Sequence, residues 1–246
     1  APDCDPWTET ERSDALARVE TALDWLAGQG SSYGVKTMLC HADGGYYTLQ
    51  NTVSGGEQSE ESDALLGELD ALSKRIDTDA LRAEYGTSNI GVLYFLPVGG
   101  TSFAMVHYAD SGEQYYYEYA CLYRNDAYSA DAEPENPATY AHEILHLFGA
   151  PDLYEGSTDA FVDDALLAYI EHSCPNDIMH STYDADGTSR LQDISQVISP
   201  LTAYCVGLVD SCPELAMFPA LADVTPGVFG SAEKPELDEL PGAVAA

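Results

Sequence analysis

The chain has 246 residues, 45% of them hydrophobic, which is enough to bury a real core in one large domain or two small lobes. Its 42 acidic residues against 9 Lys and Arg leave a formal charge of -33, so phosphate-neutralising nucleic-acid binding is excluded and an anionic membrane surface is disfavoured. No apolar run approaches the ~18 residues of a membrane span, and 10% aromatic content argues against a disordered acidic chain.

In chain order, a first helix is expected over about residues 9–27, with Leu16, Val19, Leu23 and Leu26 on one face and Gly28 as its stop. A strand is expected near Tyr33 to Cys40, and the polar stretch from Asn51 to Glu61, with Gly55 and Gly56, reads as a loop. A second helix opens near Ser62 on the stripe Leu65, Leu69, Leu72 and Ile76. Three β-rich segments follow, Ile90 to Pro97, Ser102 to Tyr108 and Tyr115 to Tyr123, with turns at Gly99-Gly100 and Ser111-Gly112. Asn136-Pro137 opens a helix that runs through Phe148 and stops at Gly149: Asn is a good N-cap, and Pro is tolerated at the first helical position. Further helices are expected over about Asp159 to His172 and from Ser199-Pro200 to Gly207. The strands fall mostly before residue 125 and the helices mostly after it, which predicts an α+β fold. We expect a single domain over 1–225, with an N-terminal lobe over about 1–150, a smaller, mainly helical C-terminal lobe over about 151–225, and a tail or linker over 226–246.

Six dispersed cysteines, Cys4, Cys40, Cys121, Cys174, Cys205 and Cys212, form no CxxC pair. An even, scattered set predicts structural disulfides and a secreted, extracellular protein.

The chemistry concentrates in the helix opened by Asn136. His142 and His146 lie four residues apart, so at about 100° per residue they sit roughly 40° apart on one helix face. Two imidazoles so placed can chelate one ion, and zinc suits nitrogen donors. Glu143 projects beside such an ion, where it can take a proton from water. Two histidines need a third ligand. Gly149 permits a left-handed exit from the helix, and Asp152 follows it as an oxygen donor, with Pro151 stiffening the approach. Glu171 is the more distant rival for that third place.

The pattern His142-Glu143-x-x-His146-x-x-Gly149-x-x-Asp152 resembles the zinc signature of metzincin metallopeptidases in the variant with Asp as third ligand, among them the immune inhibitor A type and the snapalysin type. The segment Asn176-Asp177-Ile178-Met179-His180 resembles the family's methionine turn, with Met179 in its structural role. The resemblance covers about residues 90–210 and implies a metzincin-like zincin: a twisted mixed sheet, an active-site helix and one catalytic zinc ion. Some metzincins carry a Tyr two residues after that Met, and here Ser181 holds the place, which leaves Tyr183 as the candidate oxyanion helper. The expected activity is a secreted zinc endopeptidase, monomeric, acting on protein or peptide. The substrate strand would add to a sheet edge at Ser102 to Tyr108, or at Tyr115 to Tyr123. A zinc hydrolase of a non-peptide bond and a vestigial binding or adhesion module stay open beside it. A calcium ion is not indicated by a full motif, since Asp184-Ala185-Asp186-Gly187 lacks the required following Glu.

Overall fold

The computed structural model describes residues 6–36, 39, 62–73, 75–86, 90–105, 119–127, 133–224 and 226. They divide into two compact units, one drawn from Ala1–Ser13 and His41–Glu135 and one from Asp14–Cys40 and Asn136–Ser231. The architecture is mixed α+β, with helices α1 (Glu9–Ser32), α2 (Asp63–Ser73), α3 (Thr78–Tyr85), α4 (Pro137–His146), α5 (Asp164–Ser173) and α6 (Pro200–Cys205), and strands β1 (Val92–Gly100), β2 (Phe103–Met105) and β3 (Tyr119–Asp126). Among the described residues no helix is long and apolar enough to cross a membrane.

The first unit holds an open sheet ordered β1-β3-β2, in which β1 pairs parallel to β3 and β2 antiparallel to it. Tyr119 to Tyr123 of β3 are buried without alternation, as expected of a central strand covered on both faces. The described part of the Tyr115 to Tyr123 segment therefore has a neighbour on each side and offers no free edge, whereas β2 lies at the edge of the described sheet. Leu65, Leu69 and Leu72 of α2 pack with Tyr94, Leu96, Phe103, Tyr119, Cys121 and Tyr123 as this unit's core. Gly99 and Gly100 continue β1 beyond a register shift and form no separate turn. A Cβ on Gly100 would overlap the Tyr123 ring. Helix α3 was not expected, since it buries none of its residues and so carries no apolar stripe. It is defined by the Asp77 cap, which accepts the Ala80 N–H at 2.9 Å, and by left-handed Gly86.

In the second unit, α1 runs past Gly28 and Gly30 to Ser32. The left-handed glycine is Gly34, φ 81°, and the Val35 N–H closes on Gly30 O at 2.9 Å. Bonds to distant backbone hold this extra turn: Tyr33 Oη donates to Ile198 O at 2.7 Å, and Gln29 Oε1 accepts the Ile198 N–H at 3.1 Å. The strand expected from Tyr33 thus begins as a turn, and Thr37, Met38 and Cys40 lie outside the described residues. So do the Asn51 to Glu61 loop, the Ser111-Gly112 turn, residues 106–108 and 115–118, and nearly all of the expected tail. Helix α5 begins at Asp164 because Asp163 caps it, accepting the Ala165 and Leu166 N–H groups at 3.1 and 2.9 Å. Helix α6 opens on the Ser199 cap as expected.

Among the described residues the disulfide expectation is not met: Cys174, Cys205 and Cys212 are thiols, Cys121 forms no disulfide, and Cys4 and Cys40 lie outside the described residues. Cys121, Cys205 and Cys212 are buried and fill space as small hydrophobes do. Burial, with the Cys212 sulfur next in weight, pushes the Cys205 thiol up to about 12.

Candidate metal centre

Helix α4 places the first two candidate ligands. Asn136 Oδ1 accepts the Thr139 N–H at 2.9 Å, and Pro137 stands at the first helical position. Tyr140, Ala141, Ile144 and Leu145 are buried and pin the helix down, so its polar residues His142 and Glu143, 5% and 4% exposed, are drawn inside with them. The helix then unwinds tightly. The Gly149 N–H bonds to His146 O at 2.8 Å, the Ala150 N–H reaches back to Leu145 O at 3.1 Å, and Gly149 takes φ 91°. That left-handed step is open to Gly without side-chain cost. It turns the chain back so that Asp152 faces the two histidines.

His142, His146 and Asp152 form the one group among the described residues that could hold a metal ion. Asp152 Oδ1 lies 3.1 Å from His142 Nε2 and 3.2 Å from His146 Nε2, and the two Nε2 atoms lie 3.1 Å apart. A tetrahedral zinc ion with bonds of about 2.0–2.1 Å holds its ligand atoms about 3.3–3.4 Å apart, so the trio matches one face of such a shell. The opposite side of each ring is already engaged. His142 Nδ1 donates to Ile178 O at 3.0 Å and His146 Nδ1 to Ala150 O at 2.8 Å. A carbonyl only accepts, so each Nδ1 carries a proton, and each Nε2 faces Asp152 as the atom that could bind a metal ion. Three electron-rich atoms in van der Waals contact repel unless something positive sits among them. Without a cation, a proton takes that part. Burial lowers the His146 pKa, but the Asp152 bond and the Glu143 and Asp152 charges outweigh burial and raise it to about 9. Burial likewise works to raise Asp152, yet its bonds to His142 and His146 hold its carboxyl well below the usual range. Asp159 nearby is pushed up by burial and by the Asp152 charge.

Glu143 is buried, and its charge reaches His146, which sets it at the centre without making it a ligand. Met179 is fully buried, and its carbonyl accepts the Leu153 N–H at 2.9 Å, directly after Asp152. Tyr183 is half-buried beyond that turn, with its N–H bonded to Ser181 Oγ at 3.1 Å and its carbonyl accepting from the same hydroxyl at 3.2 Å. The tyrosine ring stacked on the trio is another one: Tyr154 lies over His142 at 6.2 Å between centroids and 24° between planes, and is 41% exposed. Sequence reasoning missed Tyr154, which follows Asp152 by two residues. His180 lies outside the group, and its Nδ1 donates to Leu153 O at 2.8 Å. Glu171 is exposed on α5 and takes no part in the group. The acidic loop beyond Met179 satisfies its own carboxylates: Asp184 accepts from Arg190 Nε at 2.7 Å and from Ser195, and Asp186 accepts from Thr188.

Compared with protein-family models, curated proteins and solved structures, the chain matches none, so its functional reading rests on the geometry of this centre.

Proposed function

We propose that the chain is a zinc-dependent peptidase of metzincin type, with His142, His146 and Asp152 as ligands and Glu143 as general base. The observation that carries this reading is the convergence of three lone-pair donors at 3.1–3.2 Å, with both Nδ1 protons committed to carbonyls. Zinc held there supplies Lewis-acid activation of water and neutralises charge gathering on a substrate carbonyl oxygen. Glu143, next to the first ligand and shielded from solvent, accepts the proton of the attacking water and returns it to the leaving amine. Tyr154 offers an exposed aromatic wall beside His142 against which a substrate chain can lie. Tyr183 is kept as an oxyanion candidate on its likeness to the family's tyrosine alone.

Metal analysis of the purified chain, with mass-spectrometric cleavage of a proteome-derived peptide library in the presence and absence of chelator, tests the reading. Stoichiometric zinc and chelator-sensitive cleavage are expected. Glu143→Gln should retain the metal and lose cleavage by about 100-fold or more. Zinc without cleavage of any peptide would move the assignment to a hydrolase of another bond or to a binding module. Full activity in Glu143→Gln would remove the general base.

A further inference from the structure

We infer that Asp177 is the positioning residue of the metal centre, its buried carboxyl group holding the turn whose backbone orients His142 and the segment carrying Asp152. This inference rests on the metal reading above. Asp177 is 0% exposed and accepts three hydrogen bonds from two separate stretches of chain. Oδ1 takes the Met179 N–H at 2.7 Å, and Oδ2 takes the Ser199 N–H at 2.9 Å and the Thr202 hydroxyl at 2.7 Å. Such a group is costly to bury unless its lone pairs are met, and here each oxygen is. A side chain that only accepts is required at this spot. An amide would turn its NH₂ toward one of the backbone N–H donors.

The turn so anchored delivers consecutive backbone groups to the centre. Ile178 O receives the His142 Nδ1 proton at 3.0 Å, fixing the tautomer that frees Nε2. Met179 O receives the Leu153 N–H at 2.9 Å, and Leu153 O receives the His180 Nδ1 proton at 2.8 Å. Behind the turn, the Ile178 N–H bonds to Val197 O and the Val197 N–H to Asn176 O, each at 3.0 Å. The first and third ligands thus hang on three successive residues, and Asp177 ties those residues to the start of α6. A group that only stabilised the fold would change the melting temperature and leave the metal geometry alone. A positioning group changes the metal geometry at temperatures where the fold is intact.

The test is a Co²⁺ titration of the full chain, read by the visible absorption of the bound ion and by competition with a chelator, well below the melting transition. Asp177→Asn should weaken Co²⁺ binding by about 10-fold or more and alter the visible band while far-ultraviolet circular dichroism is retained. Thr202→Val removes one of the three donors and keeps the shape of the side chain, and should shift affinity the same way by about threefold. Glu214→Gln serves as the control. Glu214 is 2% exposed in the same unit and bonded to Tyr169, and its loss should lower stability with no change in Co²⁺ affinity or spectrum. Unchanged affinity and spectrum in Asp177→Asn overturn the inference and leave the metal reading standing. If Asp177→Asn does not fold, Thr202→Val decides: a shift supports the inference and no shift overturns it. Failure of the unaltered chain to bind Co²⁺ sinks the metal reading itself and the inference with it.

Discussion

Asp152 is the residue on which the identity of the centre turns. Replacing it with Ala leaves two imidazoles and water, so metal affinity should fall by about 10-fold or more, while Glu171→Ala, altering an exposed side chain on α5, should change nothing. Chelator competition on both variants checks this, and the reverse outcome would transfer the third-ligand role to Glu171. The cysteines make a second prediction at this scale. The thiolate is the reactive form, and burial raises the Cys205 pKa from 9.0 to about 12. At pH 8 its thiolate population is therefore much smaller than in the unfolded chain, and it grows as pH rises toward that value. Reaction with an aromatic disulfide reagent at pH 8 should be correspondingly slow for this thiol in the native protein and fast in denaturant. Cys205 labelling at the unfolded rate in the native state would refute its burial.

Two glycines on helices respond oppositely to the same substitution. Gly28 is exposed inside α1 and a Cβ there meets nothing within 4 Å, so Gly28→Ala should stabilise by about 0.5–1 kcal/mol. Gly149 takes φ 91° at the end of α4, so Gly149→Ala should destabilise by about 1–2 kcal/mol and loosen the approach of Asp152. Thermal unfolding of the two variants checks the signs, and equal shifts would contradict the backbone assignment. The same pair shows what could be read from the sequence. The end of α4 was readable because cap, first-turn Pro, ligand spacing and closing Gly all act within one stretch. The end of α1 was not, because tertiary bonds from Tyr33 and Gln29 to Ile198 carry the helix over a glycine that alone would suggest a stop. Helix α3 has caps but no buried face, and periodicity cannot see such a helix. The even cysteine count suggested bridges, whereas Cys121, Cys205 and Cys212 serve as core filling and Cys174 is half-buried and unbridged.

For the molecule as a whole, the candidate ligands were legible from their spacing and the Met179 turn only from its likeness to a family turn, while the bonds that tie that turn to the centre were not legible, for one physical reason. His142, His146 and Asp152 lie within one short stretch and meet through local geometry, whereas Ile178, Met179, His180 and Asp177 act through bonds to partners far along the chain. This difference in range should also separate the two sets in time. Closing the short loops between ligands costs little entropy, and the bonds that reach residues 176–202 form later because their loops are longer. Refolding in the presence of Co²⁺ should therefore pass through an early complex that chelator strips readily, followed by a slower gain of resistance and a shift of the visible band. Stopped-flow absorbance with delayed chelator addition follows both phases, and simultaneous capture and hardening would contradict the order. The ion would then be a passenger of folding before it is a tool, boarding a half-built chain and being locked in as the later segment arrives.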